Sequence, residues 1–587
     1  MAKNIVKESF LATCRHSLSH ILAKAVCELY DDVKLGIGPA IENGFYYDFE
    51  LTHTIKEEDF AAIEEKMAQI INNNEDFTCF DMQNAEELFK NQPYKLELIA
   101  ELTQKNENLT AYNTGDNFYD LCAGPHIKNT KELRNWGFCI SSVAGAYWRG
   151  DNNNTMLQRI YCYAFPTKRE LKEYHKFLEE AKKRDHRVLG NQLELFFFDD
   201  TAPGMPYWLP KGWRLYRTLL EFTQKLHEQR GYQEIVGPQL NHQSLWITSG
   251  HWEHYHDNMF TVELQNEQTF ALKPMNCPNA MIAYARKNRS YRDLPLRYME
   301  TSLLHRKESS GAVHGLLRVQ TFRQDDSHNF ISHDQIYSEI NDILDITDYL
   351  YNLFGLTYRP VLSTRPEGFL GEITEWDAAE TELKKVLDTR FKDDYIINEG
   401  DGAFYGPKID IMVCDTLGRE WQCCTIQLDF QLAAKFNLQY TNADGKLITP
   451  VVVHRALFGS IERFLGILIE HFAARFPFWL SPVQVGIVPV AKVHEEYAKT
   501  IETKLRAAGI KANTDTTDGT MGNKIKSYRN ELTPYIIIVG DKETQENTIS
   551  LRVRTGTQIN DVKLENFIKI CNKMLKEFSL ELIEEVL

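Results

Sequence analysis

LLHRKESSGAVHGLLRVQTFRQDDSHNF, residues 303–330, decides how this chain is read. It sets Arg306 and Arg318 around a stretch bearing Gly311 and Gly315, then closes on Phe322, Gln324, Asp326 and His328. Taken singly these residues say little: one arginine is most simply a surface salt bridge, and a few glycines mark turns. The segment gains meaning from two others. GWRLYRTLLEFTQKLHEQRGYQEIVGPQL, residues 212–240, reads as a long helix and then a strand ending at Pro238. HRALFGSIERFLGIL, residues 454–468, is the third and carries Gly459 and Arg463. All three lie in residues 190–480, where helix and strand signals alternate irregularly. That pattern predicts an α+β domain on an antiparallel sheet, not a doubly wound parallel one.

Outward from this block the character changes. In residues 482–587 the apolar strands QVGIVPV and PYIIIVG alternate with helices such as HEEYAKTIETKLRAAG, an α/β pattern with a small parallel or mixed sheet. Pro477–Pro482 reads as a hinge before it. Residues 166–189 read as an amphipathic connector helix, with Pro166 in its first turn and Leu171, Tyr174, Leu178 and Ala181 as its stripe. Residues 1–165 mix helix and strand. Ser9 or Thr13 is expected to cap a first helix whose apolar positions are Leu18, Ile21, Leu22, Ala25 and Leu29.

At 587 residues the chain needs several cores. Hydrophobic residues make up 43% and charged residues 25%, ordinary for a globular protein. No apolar run approaches the roughly 20 residues of a membrane span, and MAKNIVKESF lacks a signal-peptide core. No membrane partner is expected. Eleven irregularly spaced cysteines argue for reduced thiols and a cytoplasmic location. The net charge of −16 is not that of a typical nucleic-acid binder, but only a contact face must be basic. Arg286, Lys287, Arg289, Arg292 and Arg297 form one basic stretch, and Lys182, Lys183, Arg184 and Arg187 another.

The three central segments together resemble the three motifs of class II aminoacyl-tRNA synthetases. In detail, including PMNCP and FRQDDSHNF, they look like those of threonyl-tRNA synthetases. The resemblance runs from about residue 12 to the C-terminus. It implies a class II antiparallel-sheet catalytic core (190–480), an N-terminal editing domain (1–165) and a C-terminal anticodon-binding domain (482–587). Many members begin with a small ubiquitin-like domain; the resemblance begins at the editing domain, so that module is expected to be lacking. The implied activity is attachment of L-threonine to threonine tRNA with ATP and Mg2+, through a threonyl-adenylate. The implied assembly is a homodimer formed around residues 212–240, with Pro238 contributing to the neighbouring active site.

The resemblance also implies residue roles. Adenylate formation builds charge on phosphate oxygens, which calls for fixed cations. Arg306 is implied at the α-phosphate and carboxylate, and Arg318 and Arg463 at the far end of ATP. Glu308 is implied at the adenine amino group, and Phe322 stacked on the ring opposite Arg463. Cys277, His328 and His454 are too dispersed to form a local metal motif and alone read as a buried thiol and core histidines. The family places one zinc per subunit on them, leaving positions open for substrate. Such an ion would separate threonine from isosteric valine, where an apolar pocket gives only about a hundredfold. Asp326 is implied to accept from the threonine hydroxyl. Gln324, Tyr405, Lys408, Gln422, Gln427 and Ser460 match other active-site positions.

A second site is implied in the N-terminal block. HSLSH places His16 and His20 one helical turn apart, and YDLCAGPH supplies Cys122 and His126. By composition this is a tetrahedral zinc set; it is also readable as two helix histidines and an unrelated loop. The resemblance assigns the cluster, with Lys95 and Asp120, to metal-free hydrolysis of seryl-tRNA. Serine lacks only a methyl group, so a second sieve is needed. In the last block Glu543 and Arg552 match anticodon contacts. DTTDGTMGNKIK departs from the family there: Thr517, Asp518 and Lys526 stand where Arg, Asn and Arg are frequent, which leaves the exact contacts open. Two rival readings remain, another class II synthetase and a non-catalytic RNA-binding paralogue. The zinc-type set opposes the first, and retention of Arg306 and Arg463 the second.

Overall fold

The structure is a computed structural model that describes residues 2–82, 84–265 and 267–585. The chain forms two compact units, Met1–Glu180 and Ala181–Leu587.

The first unit is built on one long helix, Ala2–Leu29, with Leu18, Ile21, Leu22 and Ala25 fully buried at helical spacing. The helix starts well before the expected caps. Ser9 and Thr13 lie inside it, and the Thr13 hydroxyl donates to the Ser9 carbonyl one turn back, at 2.9 Å. Leu29, expected in the apolar stripe, is 37% exposed at the helix end. The helix packs on an antiparallel sheet containing Gly44–Glu50, Met156–Phe165 and Gly137–Tyr147. A second antiparallel sheet joins Phe77–Asp81, Thr110–Thr114 and Phe118–Leu121.

The connector differs from the single helix expected. One helix runs Lys168–Arg184, so Pro166 precedes it, and a second runs His186–Gln192. Asp185 separates them, its carboxylate accepting from the Arg187 N–H at 2.8 Å as the second helix's cap.

The second unit centres on an eight-stranded sheet. From edge to edge it runs Gln233–Glu234, Leu296–Glu300, Asp326–Ile331, Val451–Ala456, Glu420–Asp429, Lys408–Cys414, Thr357–Ser363 and Ile396–Asn398. Every pairing is antiparallel except those of the two edge strands, as expected for the central block. Successive residues of a strand face opposite sides. One face presents Ile409, Ile411, Ile426, Leu428, Val451 and Val453, all buried in the main core beneath helices Pro210–Gln229, Ile336–Leu353 and Ile461–His471. On the other face a smaller cluster joins Phe330 and Val452 to Cys277, Ala280 and Met281 of helix Cys277–Tyr284. The middle of that face is left for polar side chains.

The C-terminal sheet runs Ala512–Thr514, Val485–Pro489, Tyr535–Val539, Ile549–Val553 and Gln558–Val562. Its first three strands are parallel and the last two antiparallel, a mixed sheet. Pro477–Pro482, read as a hinge, is a packed joint: Phe478 and Leu480 are fully buried, and the Trp479 ring lies 5.5 Å from Phe222 and 5.6 Å from Phe354. Among the described residues no helix is long and apolar enough to cross a membrane.

Candidate active sites

Strand register builds the first site. Lys408 pairs with Gln427, Gln427 with His454, and His454 with His328. Directly paired antiparallel residues share a face, so these four form one row across the polar face. Cys277, on the helix over the same face, completes a group with His328 and His454 whose ligand atoms all lie within 4.8 Å of one another. The thiol and both rings are buried. Asp429 Oδ2 lies 2.8 Å from one ring nitrogen of His454, leaving the other for an ion; a carboxylate behind a histidine is the usual support of a ligating imidazole. The Tyr405 ring packs 5.0 Å from His454. Its hydroxyl donates to Gln427. Burial pushes the Asp326 carboxyl up to about 7, against the pull of the Asn276 amide donating at 3.1 Å.

Beside this row opens a cavity of about 400 Å³ lined by Arg306, Glu308, Arg318, Phe322, Gln324, Gln422, Gln427, Ser460 and Arg463, among others. Gln422 and Gln427 are five residues apart and would face opposite ways on a regular strand. They share the cavity because a β-bulge shifts the register between Ile411 and Met412, so that Gln422 opposes Met412. Gly459 closes the wall. It adopts φ +69°, and a Cβ there would lie 2.6 Å from the Cys423 carbonyl in the bulge. Ser460 caps the helix Ile461–His471, accepting from the Arg463 N–H at 2.9 Å. The Arg463 guanidinium is held by the Leu317 and Gln422 carbonyls at 2.8 and 3.0 Å. Burial, with Arg318 and Arg306 nearby, lowers its pKa.

Some placements differ from those the resemblance implied. The Phe322 ring has Arg306, not Arg463, as its cation, 5.0 Å from the ring centre. Glu308 is engaged by Arg318 at 2.8 and 3.0 Å. Lys408 bridges Asp410 and Asp401 at 2.9 and 3.3 Å, one step along the row from Gln427.

The second site lies in the first unit. The ligand atoms of His16, His20, Cys122 and His126 all lie within 4.8 Å of one another. Cys122 Sγ is 3.5 Å from His16 Nε2 and 3.3 Å from His126 Nε2. Ser17 Oγ is 3.0 Å from the other His126 nitrogen. Burial lowers the pKa of all three imidazoles and pushes the Cys122 thiol up to about 11. Behind them Asp120 receives Lys95 Nζ at 2.5 Å and the Tyr47 hydroxyl, and lies 3.8 Å from His20. Tyr47 was not read from the sequence; it stands on Gly44–Glu50 of the first sheet, and only the packing of the fold brings it to Asp120 on the second. His20 Nδ1 is buried without a hydrogen-bond partner among the described residues. The cluster has both the donors for a metal and neutral bases beside a lysine–carboxylate pair.

The anticodon-type residues share neither site. Glu543 is tied up locally, accepting from Gly540 N–H at 2.9 Å and Ser550 Oγ at 2.8 Å. Arg552, by contrast, keeps a buried Nε without a partner among the described residues. In the departing segment Thr517 turns back onto Asp515, and Thr520 caps the helix Met521–Asn530.

Comparison with known proteins adds to the geometry. The family described as tRNA synthetase class II core domain (G, H, P, S and T) matches residues 260–472. The Anticodon binding domain matches 484–574, and the Threonyl and Alanyl tRNA synthetase second additional domain matches 109–161. A threonine–tRNA ligase of Thermotoga neapolitana is 48% identical over 577 residues, covering 97% of this chain and 89% of that protein. One from Clostridioides difficile is 47% identical over 566 residues, 96% of this chain and 88% of that protein. Among solved structures, the RNA binding domain of threonyl-tRNA synthetase from Cryptosporidium parvum superposes with TM-score 0.65 at 41% identity. It covers 66% of this chain and 98% of its own. With nearly half its residues shared over almost its whole length, a class II core, an anticodon-binding domain and the additional domain of threonyl and alanyl enzymes, the chain belongs to the threonine–tRNA ligases and joins threonine to tRNA.

Proposed function

We propose that this ligase proceeds through a threonyl-adenylate, made from ATP with Mg2+ on the eight-stranded sheet, and hydrolyses mischarged seryl-tRNA in its first unit. The observation that carries the first half is the row Lys408, Gln427, His454 and His328 with Cys277 above it, opening onto an arginine-lined cavity. Threonine lies over the row and ATP fills the cavity. The threonine carboxylate attacks the α-phosphorus and pyrophosphate leaves. Arg306, whose Nε donates to the Pro274 carbonyl at 3.2 Å, faces the charge that builds there. Arg318 and Arg463 hold the departing phosphates, Glu308 and Phe322 the adenine. Asp326 accepts from the substrate hydroxyl, flanked by Gln324, Tyr405, Gln422 and Ser460.

Cys277, His328 and His454 fit zinc: one sulfur and two nitrogens in reach of a common centre, with Asp429 supporting His454. A zinc ion held there supplies a Lewis-acid contact that the amine and hydroxyl of threonine satisfy and valine cannot. In the first unit, the unprotonated rings of His16, His20 and His126 accept a proton from water, and Lys95 with Asp120 orients it. Glu543 and Arg552 lie on the anticodon side. A homodimer is supported by the apolar surface after the long helix, where Val236 is 81% and Ile247 58% exposed; this is the stretch that carries Pro238. The eleven cysteines, all free thiols, support a reducing, cytoplasmic location.

The test is pyrophosphate exchange with each amino acid, together with deacylation of seryl- and threonyl-tRNA. Exchange should be fastest with threonine, slower with serine and absent with valine, and only seryl-tRNA should be hydrolysed. Exchange that valine supports as well as threonine refutes the metal-centred selection.

A further inference from the structure

Helix Ile461–His471 carries Arg463 and, two turns on and on the same face, Glu470. Glu470 is buried; its Oε2 takes Arg419 Nη2 at 2.5 Å, and its Oε1 is engaged by His186, 284 residues away in sequence, at the start of the connector's second helix. His186 is fully buried. Its Nδ1 lies 2.6 Å from Glu470 Oε1, and its backbone N–H donates to the same oxygen at 3.1 Å. The other ring nitrogen, Nε2, accepts the backbone N–H of Leu316 at 2.9 Å. The two bonds define a single arrangement, with the proton on Nδ1 and the lone pair on Nε2.

Leu316 belongs to a closed turn. His314 N–H donates to the Arg318 carbonyl at 3.0 Å, and Leu317 N–H returns to the His314 carbonyl at 3.0 Å. The turn delivers two things to the cavity: the Arg318 side chain, and the Leu317 carbonyl that receives Arg463 Nε at 2.8 Å. Gly315, at φ +49°, lets the turn settle on the imidazole; a Cβ there would lie 2.2 Å from His186 Nε2. Both ring nitrogens are used, so the nearby Asp185, His186 and Glu470 are better read as a structural joint than as ion ligands.

We propose that His186 is a positioning residue for ATP. It joins Glu470, on the helix of Arg463, to the Leu316 N–H, and so fixes the turn that aims Arg318 and anchors Arg463. The threonine row is on the sheet and takes no part in this joint. The inference rests on the assignment of Arg318 and Arg463 to ATP.

The experiment measures KM for ATP and for threonine in pyrophosphate exchange, with thermal melting, for His186→Asn, His186→Gln, Gly315→Ala and Arg463→Ala. Asn can replace the Nδ1 donor but cannot reach Leu316; Gln can place its oxygen near Nε2. One lost hydrogen bond to a backbone group corresponds to roughly a three- to tenfold effect. His186→Asn should raise KM for ATP by roughly that factor, with KM for threonine and the melting temperature near wild type; Gly315→Ala, whose Cβ displaces the buried imidazole, should raise KM for ATP at least as much and lower the melting temperature, with KM for threonine near wild type. His186→Gln should recover most of the loss. If His186→Asn melts normally and keeps a normal KM for ATP while Arg463→Ala raises it, the positioning role is wrong and the ATP site stands. A rise in both KM values with a lower melting temperature makes His186 merely structural. If Arg463→Ala leaves KM for ATP unchanged, the ATP assignment falls and this inference with it.

Discussion

Asp429 offers a sharp test of the metal centre, because it touches the candidate ligand set without belonging to it. Its Oδ2 lies 2.8 Å from His454 Nε2, while its Oδ1 accepts the backbone N–H groups of Gln431 and Leu432 at 2.7 and 3.0 Å. A carboxylate can only accept, so it holds the proton on Nε2 and leaves the second ring nitrogen bare for an ion. In Asp429→Asn the amide oxygen keeps the two backbone bonds. The amide nitrogen then faces His454 and donates to Nε2, which forces the ring proton onto the nitrogen an ion needs. Recovering the ligating tautomer costs the amide bond, and such supporting contacts are typically worth 10–100-fold in metal affinity, or roughly 1.4–2.7 kcal/mol. Zinc affinity should be measured by competition with a chelating dye on the intact protein, alongside KM for threonine. We expect weaker zinc by about that factor, a raised KM for threonine and an unchanged KM for ATP. Wild-type zinc affinity in a folded Asp429→Asn protein would show that His454 does not use its second nitrogen for metal.

Other consequences follow from the same geometry. Arg306→Ala should slow threonine activation by about 3–4 kcal/mol, or 10²–10³-fold, without loss of fold, because a fixed cation is removed from developing charge; pyrophosphate exchange near wild type refutes the role. Replacing His16 and His20 together by Ala should leave threonylation nearly intact while seryl-tRNA accumulates, and equal deacylation of labelled seryl-tRNA by mutant and wild type would make the histidines structural. Glu462, which takes the Tyr216 hydroxyl at 2.8 Å and the Arg323 N–H at 3.0 Å, is pushed up by burial from 4.5 to about 7. Between those values the folded protein holds a proton that the unfolded chain has released, so stability should fall as pH rises from about 4.5 to about 7 and level off above, by at most about 3 kcal/mol. In Glu462→Gln this part of the decline in melting temperature should disappear; an unchanged pH profile would remove Glu462 as its source.

Period and motif made much of this legible in advance. The stripe of Leu18, Ile21, Leu22 and Ala25 gave the first helix, and the four-residue spacing of His16 and His20 placed both rings on one face, 5.1 Å apart. The helix start was not legible, because serine and threonine have the same composition inside a helix as at its cap; Ser9 and Thr13 bond within it instead. Nor could spacing show that Gln422 and Gln427 share a wall, since a bulge is a property of two strands and not of either alone. Cys277, His328 and His454 came from resemblance; register then pairs the two histidines, and the helix packed over the sheet brings Cys277 to them. Asp429, Tyr47, His186 and Glu470 were missed for a common reason. Each acts through a partner 25 to 284 residues away, and no local pattern records such a distance.

Everything proposed for substrate choice depends on an ion held by Cys277, His328 and His454. Its presence is tested most directly by a crystal structure with a non-hydrolysable threonyl-adenylate analogue, using data collected at the zinc absorption edge. One anomalous peak per chain is expected at those three side chains, with the amine and hydroxyl of the analogue completing its shell and Arg306 at the phosphate. An analogue bound in the cavity with no metal at Cys277, His328 and His454, or a peak only at His16, His20, Cys122 and His126, would contradict it.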